Sequence, residues 1–292
     1  MTDMTDAPIM IENRTQRFMR RKLVSTGILH IVLVLFSLSL CLPFVWMALT
    51  GFKTLEEIGL DSWIPAEFHW SNYGDVFHTA GIQFGRWYWN SLFIAAAVTF
   101  LQVLTSSLAA FSFARLKWPG RDKVFLLYLG TMMLPWVVMM VPNYQLMIKL
   151  GIVDSYWGLI IPASFSAFGT FLLRQFMLGI PASLDEAAEI DGASKWQLCW
   201  DVILPLARPG MITLAIFTFI GNYQSFFWPL VMMKSVHRYT LPIGLMFFDS
   251  TQGQQTNLLM AAITMSVVPM IVIFVLLQRR LVQGIQLGAV KG

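Results

Sequence analysis

The residues with the most specific types and spacing are Glu186-Ala187-Ala188-Glu189-Ile190-Asp191-Gly192, followed at a fixed distance by Val202-Ile203-Leu204-Pro205. Their chemistry is recognition, not bond making. Asp185, Glu186 and Glu189 put negative charge early in a helix, where it suits the helix dipole. Ser183 stands three residues before Glu186, which predicts a capping box. Gly192 is suited to the left-handed turn that closes a helix. Ser194 and Gln197 predict a second capping box and a second short helix, which Pro205 limits, while Pro209 opens the next span. The pattern predicts helix, sharp turn, helix, lying along a membrane surface. Ala187 and Ala188 are small enough to let such a knob sink into a cleft of another protein. No other set competes as a reaction centre. The chain has no G-x-x-x-x-G-K-[ST] phosphate loop. His30, His69, His78 and His237 are isolated and match no metal spacing.

The elements that must carry this knob are membrane helices. Of 292 residues, 57% are hydrophobic and 12% charged, and mean hydropathy is +0.64. Soluble domains carry roughly 25% charged residues, so most of this chain needs a non-aqueous solvent. A spanning helix takes about 20 apolar residues. Six segments qualify: Gly27–Gly51, Asn90–Ala114, Val124–Met147, Tyr156–Phe176, Gly210–Met233 and Asn257–Leu277. The expected organisation is a cytoplasmic segment over 1–26, a six-helix domain over 27–280 that includes the knob loop 179–208, and a tail over 281–292. The segment before the first span carries Arg14, Arg17, Arg20, Arg21 and Lys22, and the span is too long for a signal peptide core.

With the N-terminus inside, the 20 basic residues split 15 inside to 5 outside, a positive-inside bias that puts both termini and the Glu186 loop in the cytoplasm. That topology accounts for the net charge of +4 without a nucleic-acid partner. Cys41 falls in the first span and Cys199 in the knob loop, so the two cannot pair within one molecule. Trp63, Trp70, Tyr73, Trp87, Tyr88 and Trp89 crowd the longest outside loop, where aromatic rings settle at headgroup depth.

None of the six spans holds an Asp or Glu. Ion-coupled carriers keep such groups along their pathway, so a secondary carrier is disfavoured. Neutral polar groups are present instead: Asn222, Tyr223 and Gln224 in the fifth span, and Thr99, Gln102, Thr105, Ser106 and Ser107 in the second. Either set could pass a sugar through amide and hydroxyl contacts or hold helices together, and the sequence leaves both readings open. Prolines at 43, 135, 142, 162, 229 and 269 fall within or at the edges of spans, as suits a bundle with kinked helices.

In spacing, Glu186 to Ala188, Gly192 and Val202 to Pro205 resemble the EAA loop of ATP-binding-cassette (ABC) importer permeases. The full spacing disfavours a plain amphipathic connector between spans. Phe171-Leu172-Leu173-Arg174-Gln175-Phe176, Ile180-Pro181, Ile190-Asp191-Gly192-Ala193-Ser194 and Gly288-Ala289-Val290-Lys291-Gly292 extend the likeness to carbohydrate importers, and in particular to the shorter permease subunit of maltose-type systems. The resemblance covers about Leu29 to Gly292.

The resemblance implies an all-α type I ABC importer permease fold in a bacterial inner membrane. It implies a sister permease, two cytoplasmic ATPase subunits that hold the Mg-ATP, a solute-binding protein and a carbohydrate solute, with no cofactor or catalysis in this chain. Glu186, Ala187, Ala188, Asp191, Gly192 and Pro205 would couple to the ATPase. Gly288, Lys291 and Gly292 in the tail would touch it as well. A polyol, a glycerol phosphate, and a neutral or uronate oligosaccharide remain open as solutes. A secondary carrier and a non-transporting scaffold are the rivals from other classes.

Overall fold

The computed structural model describes the backbone of residues 7–60, 62–252 and 255–289, and the side chains of 26–60, 62–250 and 255–278. Among the described residues every regular element is helical. In chain order these are α1 (Ala7–Thr50), α2 (Leu55–Ile58), α3 (Ser71–His78), α4 (Phe84–Arg115), α5 (Arg121–Gly130), α6 (Trp136–Lys149), α7 (Trp157–Ala163) and α8 (Ala167–Leu178). There follow α9 (Ser183–Ile190), α10 (Lys195–Gln197), a π-helical turn at Leu198–Ile203, α11 (Leu204–Leu206), α12 (Arg208–Tyr223), α13 (Phe227–Met232), α14 (Leu241–Gln252) and α15 (Thr256–Ala289).

α4 is the spine. It has no proline, and its 32 residues span about 48 Å at 1.5 Å per residue. Its buried side chains enter three successive clusters. Phe84 and Trp87 join Val76, Leu241 and Phe248 at one end. Ile94 and Val98 join Leu159, Ile160 and Met232 in the middle. Ala110 and Phe111 join Leu173, Met177, Ile203 and Leu214 at the other end, beside the knob. Small residues let its neighbours close in, as membrane helices favour. A Cβ on Gly169 of α8 would lie 2.6 Å from Ser106 Oγ of α4 and 3.1 Å from Leu214 Cδ2 of α12.

Three expected spans are not single rods. The third breaks at Leu134-Pro135, where α5 with its 3-10 extension and α6 meet at 99°, because Pro135 cannot continue the preceding hydrogen-bond ladder. The fourth bends by 41° between α7 and α8. There the Ser166 side chain accepts from Gly169 N at 3.0 Å, and Thr105 of α4 donates to the Ser164 carbonyl at 2.6 Å. A polar side chain from a neighbour thus satisfies backbone that the bend frees. The fifth is interrupted between α12 and α13. The Lys195–Leu206 stretch meets α12 at 73°. That stretch carries Lys195, Asp201 and exposed Trp196, which suit a membrane surface and not its interior, so α12 continues the span into α13. Among the described residues, three helices are long and apolar enough to cross a membrane alone, or up to six if each bent pair counts as one span.

α1 begins at Ala7, well before the expected span, and its described side chains from Ile28 to Val45 are exposed in the isolated chain. Among its described side chains it joins the bundle at its last turn, where Tyr73 donates to Ala48 O at 3.3 Å. Just past the helix end, Asn72 donates to the carbonyls of Gly51 and Lys53 at 3.0 and 2.9 Å. The outer aromatics divide. Trp63, Trp70 and Trp89 are exposed, but Trp87 is wholly buried and donates to the Val236 carbonyl at 2.7 Å. Trp87 is therefore core, a correction to its reading as an interfacial ring. α14 was not expected. It fills space against Trp87 through Leu241 and Phe248, while Ile243 packs into the middle cluster with Ile94 and Val98.

At the end remote from the knob, Asp154 ties the loop before α7 to the loop after α13. It accepts from the Lys234 and Ser235 amides at 2.9 and 3.1 Å and from the Ser235 hydroxyl at 2.6 Å, and Arg238 pairs with it. Burial alone would raise its pKa. The Ser235 hydroxyl, the two amides and Arg238 more than offset that, so the carboxyl titrates below its ordinary range. A carboxyl lowered in the folded state stabilises above its unfolded pKa of about 3.9, and that contribution disappears as pH falls through the folded value. Asp154→Asn should lower the thermal midpoint in detergent at pH 7, and the difference from wild type should shrink as pH falls below about 3.9, the unfolded value. A loss that does not change with pH would show that the carboxylate charge is not what holds the loops.

Candidate functional site

The knob forms much as its sequence dictates, with one correction. Ala182, not Ser183, is the N-cap of α9, and no side chain caps it. Pro181 starts the turn early: Leu184 N donates to Pro181 O, and Asp185 N and Glu186 N both donate to Ala182 O. Ser183 is therefore already helical and its hydroxyl does not cap. The C-terminus closes as a Schellman motif. Gly192 has φ +79°, Ala193 N donates to Ala188 O at 2.9 Å and Gly192 N to Glu189 O at 3.1 Å. The second box is complete, with Gln197 N on Ser194 Oγ at 3.3 Å and Ser194 N on Gln197 Oε1 at 2.9 Å. Lys195 pairs with Glu189 across the turn.

Beyond α10 the chain takes the π-helical turn, and Pro205 sits inside α11 near its start, so helical geometry runs on to Leu206. The expectation that Pro205 limits the second helix is corrected. A proline near a helix start forfeits no intrahelical bond. The stretch from Leu198 to Pro205 serves as an anchor. Leu198, Cys199, Ile203 and Leu204 are buried against α4 and α8. Burial pushes the Cys199 thiol up to about 11, so it stays protonated and unreactive at neutral pH.

The opposite face of the knob is open. Glu186, Ala187, Asp191 and Gly192 are exposed, and only Ala188 leans on the bundle. Ile190 is 86% and Trp196 64% exposed. Large apolar side chains displayed beside carboxylates on a fixed helix pair are the composition of a recognition surface. Behind this face, Arg115 holds the knob and Arg174 braces α8 against α4 and α5 beside it; the sequence reading tallied both as inside charges, Arg174 also within the Phe171–Phe176 likeness. Arg115 pairs with Asp185 at 3.0 Å and donates to the Met177 and Ile180 carbonyls at 2.6 and 2.8 Å. Arg174 donates to Phe113 O at 3.2 Å, and its guanidinium stands 4.2 Å over the Phe125 ring. An arginine placed at a span's end, followed by a loop, gave only a weak signal in one dimension.

The three polar residues of the fifth span diverge in space. Asn222 donates to Thr218 O at 2.8 Å within its own helix and lines a cavity of about 180 Å³ with Ser91, Leu159, Ser225, Trp228 and Thr240. Tyr223 is buried in the Trp87 cluster, with its hydroxyl on Ser266 O at 2.9 Å. Gln224, at the interruption, is exposed and reaches Met270 Sδ at 3.2 Å. Thr240 Oγ1 in the cavity wall is buried without a protein partner, and nothing in the sequence had singled it out. Two of the five second-span residues hold helices together: Gln102 donates to Thr218 at 3.0 Å and Thr105 to Ser164 O. The tail residues Gly288, Lys291 and Gly292 lie outside the residues whose side chains are described. Among the described residues no cluster of His, Cys, Asp or Glu could hold a metal ion.

Comparison with known proteins places this architecture. The family described as binding-protein-dependent transport system inner membrane component matches residues 102–287. The arabinooligosaccharides transport system permease protein AraQ of Halalkalibacterium halodurans is 35% identical over 228 residues, covering 78% of this chain and 81% of that protein. Its namesake in Bacillus subtilis is 32% identical over 274 residues, covering 91% and 97%. The sn-glycerol-3-phosphate transport system permease protein UgpE of Yersinia pestis is 34% identical over 229 residues, covering 76% and 81%. A chain in the crystal structure of a bacterial ABC transporter that imports the acidic polysaccharide alginate shares the fold, with a TM-score of 0.77 at 22% identity over 96% of this chain and 98% of that one. Helix order, knob and family match agree, and this chain belongs to the inner membrane components of binding-protein-dependent transport systems.

Proposed function

We propose that this chain is a permease subunit of an ATP-driven carbohydrate importer in a bacterial cytoplasmic membrane, with both termini cytoplasmic. Residues 27–280 form the transmembrane domain, flanked by the segment 1–26 and the tail 281–292. The observation that carries the reading is the knob. Its apolar and acidic face is open while its back is fixed, and this is what an external partner needs in order to push on the bundle. Glu186, Ala187, Asp191 and Gly192 present that face to one of two ATPase subunits, while Ala188, which leans on the bundle, and Pro205 belong to the side that fixes its back. Gly288, Lys291 and Gly292 supply a second contact. Mg-ATP is bound and hydrolysed on those partners, and this chain does no bond chemistry. A sister permease completes the pathway, and a solute-binding protein delivers the solute.

Asn222 and Gln224 are the pathway candidates, and Tyr223 supports them from the core. The cavity beside Asn222 is lined by uncharged side chains, hydroxyls and one indole among them. Such a lining suits a neutral hydroxylated solute. A glycerol phosphate would call for a cation there, which favours carbohydrate although a glycerol-3-phosphate permease is among the relatives. Purification of the tagged protein from native membranes in mild detergent tests the assembly. The expected companions are a cassette ATPase, one similar permease and a solute-binding protein. A partner-free protein that still moves solute would refute the importer reading. Glu186→Lys should leave insertion intact and reduce uptake by about tenfold or more, because it inverts charge at the docking face. Unchanged uptake in that variant would remove Glu186 from the coupling surface.

A further inference from the structure

We propose that Arg115 is the positioning residue that fastens the knob to α4, so that α9 and the spine helix move as one body. The inference rests on the importer reading above and names the element that carries its motion into the membrane. Arg115 is the last residue of α4, and its side chain is only 7% exposed. One terminal nitrogen bonds Asp185 of α9 at 3.0 Å, and the other bonds the Met177 and Ile180 carbonyls at the end of α8 at 2.6 and 2.8 Å. Three elements therefore meet on one planar cation. A guanidinium holds such a fork in fixed directions, whereas an ammonium is a point charge. The carbonyls lie at and just past the end of α8, where a cation suits the helix dipole.

The second half of the knob has its own apolar anchor, Leu198, Cys199, Ile203 and Leu204 against α4 and α8, but α9 is joined more loosely apart from Arg115: Glu189 is paired within the knob itself, and Ala188 contributes one small apolar contact. Glu186 and Asp191 are left for a partner. Asp185 thus has a different task from its acidic neighbours. It faces inward to Arg115, while they face outward. From this joint, α4 runs unbroken to Phe84. Along the way it bonds Thr218 of α12 through Gln102 and Ser164 O at the α7–α8 bend through Thr105. At its far end Asn90 donates to the carbonyls of His237 and Tyr239. A displacement delivered at α9 is therefore passed to the interrupted spans as a rigid shift of α4.

The test uses the complete transporter in proteoliposomes with solute-loaded binding protein. Spin labels at exposed Ser183 of α9 and exposed Phe100 of α4 report their separation. In the wild type this distance should stay constant between the resting and ATP-bound states, while distances from Ser183 to the partner ATPase change. In Arg115→Ala it should broaden and shift on ATP binding. Solute-stimulated hydrolysis and uptake should fall roughly tenfold in Arg115→Ala and in Asp185→Asn, within the usual range of coupling strengths. ATPase subunits should still co-purify. The double variant should be no worse than the worse single one, as for groups acting together. Arg115→Lys should recover part of the stimulation. A Ser183–Phe100 distance that changes through the wild-type cycle overturns the proposal even if every variant misfolds. So do variants that couple as well as wild type, or losses that simply add. A wild type that binds no ATPase overturns the importer reading, and this inference falls with it.

Discussion

Gly192→Pro should abolish transport while leaving the chain inserted in the membrane. The turn at this residue needs φ +79°, whereas proline holds φ near −65°. Proline also removes the N–H that Gly192 donates to Glu189 O. The Schellman closure then fails, and α10 leaves α9 at another angle. Rebuilding a helix end of this kind costs about 3 kcal/mol when proline is the cause. The cost falls on an exposed loop, so the bundle itself should survive. The informative control is Gly192→Asn. A Cβ at this position meets nothing within 4 Å, so only conformation is at stake, and asparagine tolerates the left-handed region. Gly192→Asn should keep most uptake and Gly192→Pro should fall below about a tenth of wild type, a loss of roughly 1.4 kcal/mol or more in effective coupling. Both are measured as labelled solute uptake normalised to membrane protein. Equal uptake in the two would show that the turn angle does not matter.

Gly244→Val should be the most destabilising small substitution at the end remote from the knob. A Cβ at Gly244 would lie 2.2 Å from Cε3 and 2.4 Å from Cδ2 of Trp87. The indole cannot retreat, since it is wholly buried and its nitrogen is bonded to Val236 O. Helix α14 cannot retreat either, because Leu241 N is held by Ser91 Oγ at 2.7 Å. Overfilling a packed site costs about 1–3 kcal/mol, occasionally more, and a β-branched side chain against a fixed ring belongs at the upper end. The thermal midpoint in detergent should fall by about 5 °C or more. Gly74→Ala in α3, where a Cβ meets nothing within 4 Å, should leave the midpoint unchanged or slightly raised. A Gly244→Val midpoint as high as that of Gly74→Ala would mean that α14 does not pack on Trp87 as described.

The helices and the knob were legible in the sequence because their signals are local. Hydrophobic length marked the spans, and the Gly192 turn and the Ser194–Gln197 box follow from residue types a few positions apart. What escaped was tertiary. The sharp bend at Pro135 looked like a mild kink, since neither the proline nor its apolar flanks say how far the chain turns. Ser183 had the right neighbour for a cap, but Pro181 moved the helix start by one residue. Trp87 lay in a run of aromatics that read as interfacial, and only α14 packing over it makes it core. Asn222, Tyr223 and Gln224 are adjacent in sequence, yet a helix turns successive side chains by about 100°, so they face a cavity, the core and the outside. Arg115 and Arg174 entered the reading through their charge, and Arg174 also through the family likeness, while their structural roles stayed hidden because their partners lie 60 to 70 positions away.

The attachment of α1 has a consequence for how such chains diversify. Among its described side chains, the helix meets its own bundle at its last turn, where Tyr73 bonds Ala48 O and Asn72 clasps the carbonyls of Gly51 and Lys53 just beyond it. The described side chains from Ile28 to Val45 face away from this chain's own packing. A helix attached in this way can be tuned to membrane thickness or to a neighbouring subunit with little disturbance to the packing from α4 onward. The family match starts at residue 102, within α4, and leaves this helix out.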